Sequence, residues 1–113
     1  MMVTFAIGNS DDKLPQTSWS AFVTSVHLIV DKAVEQGAQI RFAGHSPPGS
    51  PWQNALWAVE IGYPLDGAKR VEVRAQLRAG LAVLAGRWRQ DAIAWWDTAA
   101  AEMIRPAARQ AGS

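Results

Sequence analysis

Residues 39–61 read Gln-Ile-Arg-Phe-Ala-Gly-His-Ser-Pro-Pro-Gly-Ser-Pro-Trp-Gln-Asn-Ala-Leu-Trp-Ala-Val-Glu-Ile. From Gln39 to His45 the side chains alternate, with Ile40 and Phe42 on one side and Arg41, Ala43 and His45 on the other, which predicts a strand. Residues 46–51 contain three prolines and a glycine and cannot form regular structure. Ala55 to Ile61 alternate again, with Trp57, Val59 and Ile61 opposing Leu56, Ala58 and Glu60. Two strands joined by a proline-broken loop predict a long-loop hairpin.

The hairpin is flanked on both sides by helical patterns. Upstream, Trp19, Phe22, Val23, Val26, Ile29, Val30, Ala33 and Val34 recur at helical spacing, with Thr17 or Ser18 as the expected cap and Gly37 as the stop. Downstream, Asp66 is the expected cap of a helix that buries Val73, Leu77, Leu81, Leu84 and Trp88. Val3 to Ile7 alternate and end at Gly8-Asn9, and Ala92 to Trp96 form a short apolar run; both predict strands. The alanine-rich stretch from Thr98 predicts a terminal helix ending near Arg105, where Pro106 stops it. The order β-α-β-β-α-β predicts an α+β, ferredoxin-like domain over residues 1–97: a four-stranded antiparallel sheet with two helices on one face. A C-terminal helix and tail, 98–113, follows.

Size and composition limit what such a domain can do. At 113 residues the chain has room for one core. With 49% hydrophobic and 19% charged residues it is an ordinary globular sequence. The absence of cysteine excludes disulfides, thiolate metal sites and a cysteine nucleophile. The first residues carry no basic segment and their apolar run ends at Gly8, so neither an export signal nor a membrane span is expected, and the expected location is the cytoplasm. A net charge of +1 gives no global pull toward nucleic acid or anionic lipid. The charge is nevertheless polarised, −3 over residues 1–67 and +4 over the remainder.

In the expected topology one end of the sheet gathers the end of the first strand, the hairpin loop and the start of the last strand. The polar residues concentrate there: Asn9, Ser10, Asp11 and Asp12; His45; Trp52, Gln53 and Asn54; Arg89, Gln90 and Asp91. Amides, an acid and a guanidinium beside aromatic rings suit recognition of a planar polar ligand or a partner's backbone. The same residue types also satisfy loop backbone groups. Asp11, Asp12 and His45 are the candidates for acid-base or metal chemistry, and Asp11 and Asp12 equally suit a turn before a helix. His27 flanks the helix stripe without a metal partner at helical spacing, and Arg70, Arg74 and Arg78 form a solvated basic face. No phosphate loop, HExxH or nucleophile elbow is present. No cofactor is implied.

Six tryptophans are too much apolar area to leave in water, so they belong to the core, a pocket or an interface. Ala75, Ala79, Ala82 and Gly86 form a smooth row on the second helix, suited to close approach by a neighbour. An uncovered sheet face together with that row predicts a homodimer, or a cover supplied by the tail helix.

The strings Gly8-Asn9-Ser10-Asp11-Asp12-Lys13-Leu14, Pro51-Trp52-Gln53-Asn54-Ala55 and Arg89-Gln90-Asp91-Ala92-Ile93-Ala94 resemble those of a set of small proteins from actinobacteria and their phages. That group has no activity to transfer. The overall reading is a binding module for a small polar ligand, a nucleotide or a protein partner, related to phage or host defence. The alternative is a small enzyme, either a metal-dependent phosphoryl-transfer or hydrolytic one or a cofactor-free oxygenase.

Overall fold

Two layers make up the computed structural model, which describes residues 1–9, 14–47, 53–97 and 101–107, with backbone alone at 101–103. The chain runs β1 (Met2–Gly8), α1 (Gln16–Glu35), β2 (Gln39–His45), β3 (Asn54–Glu60), α2 (Gly67–Arg87), β4 (Ile93–Trp96) and β5 (Ala101–Ile104). All neighbouring strands are antiparallel, and the sheet order is β2-β3-β1-β4-β5. Alternation in β1, β3 and β4 sends Val3, Phe5, Ile7, Trp57, Val59, Ile93 and Trp95 into the core against Phe22, Val26 and Val30 of α1 and Val73, Leu77 and Leu81 of α2. Both helices therefore lie on one face. They meet closely at Gly80, where an added Cβ would come within 3.0 Å of Ile29.

Three core rings lie side by side across the sheet. Phe5 stacks on Trp57 at 5.6 Å and on Trp95 at 6.1 Å, in offset planes 15° and 16° apart. Arg74 and Arg78 of α2 cap the Trp95 end of this row, their guanidinium carbons 5.4 and 5.6 Å from its ring. Trp19, Trp57 and Trp95 are buried, whereas Trp96 is 40% exposed and Trp52 lies outside the described residues.

Four expectations are corrected. The tail is not a helix: residues 101–104 form β5, paired to β4 in the register Ala94↔Met103 and Trp95↔Glu102, with Ile104 buried. A helix of about eight residues has little stability of its own, so the unpaired edge of β4 overrides alanine's propensity. In β2 the register passes from Ile40↔Val59 to Phe42↔Ala58, a bulge that makes Arg41 the extra residue. Phe42 is thereby turned to the outer face, while Ile40, Ala43 and His45 share the helix side. Thirdly, α1 starts at Gln16, one to two residues before the expected caps, after Pro15, whose carbonyl accepts from Trp19 N at 2.8 Å. Finally, among the described residues the Ala75, Ala79, Ala82 and Gly86 row takes no helix. It faces the chain leaving β5, where Ala107 N donates to Ala82 O at 3.1 Å and Pro106 lies 3.9 Å from the Cβ position of Gly86. The Asp66 cap is present, its Oδ1 accepting from Lys69 N at 2.8 Å.

No helix among the described residues is long and apolar enough to cross a membrane.

Candidate functional site

The register brings the expected polar segments to one end of the sheet: Gly8 faces Asn54, Ala55 faces both Ile7 and His45, and Ala6 faces Ala94 near the start of β4. Ser10, Asp11, Asp12 and Trp52 lie outside the described residues.

Asn9 and Gln53 are joined directly. Both are buried, at 2% and 3% exposure. Asn9 N donates to Gln53 O at 2.8 Å and Asn9 Nδ2 donates to Gln53 Oε1 at 2.9 Å. Asn9 also closes its own loop, donating to Leu14 O and accepting from Leu14 N, each at 2.9 Å. Gln53 Nε2 then donates to Gln16 Oε1 at 2.7 Å, which ties the first turn of α1 to the start of β3. These amides spend their donors and acceptors on the protein's own chain, as buried polar groups do.

Arg89, Gln90 and Asp91 terminate α2. Arg89 has φ +56°, the left-handed conformation that glycine usually supplies after a helix, and Gln90 N donates to Ala85 O at 2.8 Å. Gln90 Nε2 donates to Trp88 O at 3.1 Å. Asn54 is exposed; its N–H donates to Ser46 Oγ at 3.0 Å and its carbonyl accepts from Ser46 N at 2.9 Å, which closes the base of the hairpin loop.

His45 has a different setting. The helices stop short of the edge strand β2, which is almost wholly exposed. The gap between α1 and β2 is a cleft in two adjoining parts, of about 240 and 260 Å³, that share Val23, Thr24 and His45. The first is lined also by Gln16, Trp19, Ser20 and Gln53, and the second by His27, Ala43 and Trp57. His45 Nδ1 lies 2.8 Å from Ser46 O, and since a carbonyl only accepts, Nδ1 carries the proton there and Nε2 is left as the basic nitrogen. Across the cleft Trp57 Nε1 donates to His27 Nδ1 at 3.4 Å, so the His27 proton sits on Nε2, which faces Asp31 Oδ1 at 3.7 Å. The cleft thus has the His45 imidazole on one side and His27, whose N–H faces Asp31, on the other, beside an apolar wall of Val23, Ala55 and Trp57.

His27, Trp57, Gln16, Trp19 and Thr24 were not among the residues expected at a site. Asp31, one turn beyond His27, lies beside it on the same helix. Among the described residues no group of three or more His, Asp or Glu side chains could hold a metal ion.

One ion pair lies apart from the cleft. Arg74 donates through Nε at 3.0 Å and through Nη2 to Asp97 Oδ2, to which Trp95 Nε1 also donates at 3.4 Å. The hydrogen bond from Arg74 is the main reason that the Asp97 carboxyl is held below the usual aspartate range.

No family model matches the chain, and no curated protein does. Among solved structures it is similar to a phage SAM lyase in its apo state, at 13% identity over 96% of this chain and 91% of that one with a TM-score of 0.50, a likeness that shows a shared fold.

Proposed function

We propose that the chain is a phage-related binding module on a ferredoxin-like frame, and that the α1/β2 cleft takes a nucleoside-sized polar ligand. The observation that supports this reading most is the pair of imidazoles, His45 and His27, across one groove beside the Trp57 wall. A planar heterocycle with both donor and acceptor edges has complementary chemistry, and apolar walls with a few fixed polar groups are the usual make-up of a small-molecule site. The adjoining volumes together reach the lower range of such sites, about 300–1,000 Å³. The neighbour in the fold comparison is a phage protein named for SAM, which makes SAM and adenosine the first probes. The polar sheet end supports the cleft, because Gln53 holds Gln16 in its wall.

The test is an amide-resonance titration with adenosine and with SAM. Shifts confined to Thr24, His27, His45 and Trp57, and lost in His45→Ala, are expected. Saturating ligand without shifts at these positions would overturn the reading. A second reading, a small enzyme at the same cleft, draws on the neighbour's being a lyase. It requires His45 to act as a base, so His45→Gln would abolish turnover of SAM while binding persisted.

A further inference from the structure

The two parts of the α1/β2 cleft differ in chemistry. Gln16, Ser20 and Thr24 stand four residues apart on α1 and so form one row along the first part, about 12 Å long at about 1.5 Å per residue. The hydrogen-bonding groups of this row are not spent on the helix. Ser25, by contrast, donates to Ala21 O at 2.8 Å, the back-bond open to a helical hydroxyl. Among the described residues the exposed Ser20 and Thr24 hydroxyls make no such bond, and Gln16, whose Oε1 accepts from Gln53, keeps both Nε2 hydrogens. Ser46 Oγ, in the same part, accepts from Asn54 N at 3.0 Å and keeps its hydrogen to donate. The second part is mostly apolar, walled by Val23, Ala43, Ala55 and Trp57. None of the described lining residues of either part is a lysine, arginine, aspartate or glutamate, and residues 47–52, which follow Ser46, are uncharged in sequence.

We propose, resting on the reading of this cleft as a ligand site, that its ligand class is the uncharged nucleoside and that the ligand lies one way round: sugar on the Gln16, Ser20 and Thr24 row, base against the Trp57 wall. Sugar hydroxyls both donate and accept, and the row meets them with two hydroxyls that do the same and an amide that donates. A base needs an apolar wall with a few polar groups at its edge, and the second part supplies Trp57 and Val23 with an imidazole on either side. Val23, Thr24 and His45 belong to both parts, so the bond between sugar and base falls beside them. Phosphate recognition draws its strength from charge-assisted hydrogen bonds to arginine or lysine. The row offers neutral partners instead, so a phosphate on the sugar adds no affinity.

The test compares adenine, adenosine and AMP in amide-resonance titrations of the whole chain. Adenosine is expected to bind about tenfold more tightly than adenine, the worth of two neutral hydrogen bonds, and AMP no more tightly than adenosine. The double variant Ser20→Ala/Thr24→Val is expected to bring adenosine down to the affinity of adenine and to leave adenine itself unchanged. Both side chains are exposed, so its circular dichroism spectrum is expected to match the wild type, and Ser20→Ala alone serves if the double variant does not fold. Equal binding of adenine and adenosine, or a variant that weakens both alike, overturns the placement of the sugar while the cleft stands as a ligand site. AMP binding more tightly than adenosine overturns the uncharged class. Saturating amounts of all three without shifts at His27, His45 and Trp57 overturn the cleft reading and this inference with it.

Discussion

Asn9 Nδ2 donates to Gln53 Oε1 at 2.9 Å with both side chains almost fully buried, so the end of β1, the start of β3 and the first turn of α1 are joined by side-chain amides. Replacing either residue by alanine strands buried partners at about 1–3 kcal/mol. The expected result is a melting temperature lower by on the order of 5–15 °C for Asn9→Ala and Gln53→Ala. Asn54→Ala leaves it nearly unchanged, because that side chain is exposed. Equal melting of all three would show that the amides contribute nothing to the fold.

Arg89 occupies a backbone conformation that costs an L-residue about 1–2 kcal/mol and glycine almost nothing. Arg89→Gly is therefore expected to raise the melting temperature by several degrees, less the entropy that glycine loses on folding. A fall would mean that the Arg89 side chain supplies more than its backbone costs.

Phe5 stacks on two tryptophans, each pair worth about 0.5–1.5 kcal/mol beyond area. Phe5→Leu keeps most of the apolar volume and loses both pairs, so a destabilisation of about 1–3 kcal/mol in urea is expected. A change below about 0.5 kcal/mol would assign the row to packing alone.

The elements legible in the sequence were those whose side chains obey one period throughout. The stripe from Trp19 to Ala33, the stripe from Val73 to Leu84 and the alternation of Trp57, Val59 and Ile61 all reach the core as read. Val34 does not, being 39% exposed at the end of α1. Phe42 was misplaced because a bulge is a tertiary event: the bulge at Arg41 changes the phase of everything after it, and no residue type marks the spot. The 101–104 segment failed for a related reason, since its strand depends on the free edge of β4 and its composition favours helix. At the sheet end, polarity identified where chains converge without separating structural amides from cleft-lining groups. Burial separates them, turning Asn9 and Gln53 inward and leaving His45 in a cleft.

The Arg74–Asp97 pair sets an acid limit on stability. Asp97 titrates lower in the folded chain than unfolded, so its contribution is fully present above the ordinary aspartate pKa of about 3.9 and is lost as pH falls through the folded value. Asp97→Asn is expected to be less stable than wild type near neutrality, with the difference vanishing at strongly acidic pH. A pH-independent difference would assign the effect to hydrogen bonding rather than charge.

The two cleft imidazoles make the most specific spectroscopic prediction. His45 Nδ1 can meet Ser46 O only as a donor, and His27 Nδ1 can meet the Trp57 indole only as an acceptor. When both rings are neutral they must hold opposite tautomers, Nδ1–H for His45 and Nε2–H for His27. Long-range proton–nitrogen correlations distinguish the two patterns directly. Trp57→Phe removes the indole N–H and frees His27 to exchange tautomers, while the His45 pattern is expected to stay as it was. If His45 shows the Nε2–H form in the wild type, its Nε2 is not the cleft's acceptor, and the proposed contact of a polar ligand with it fails.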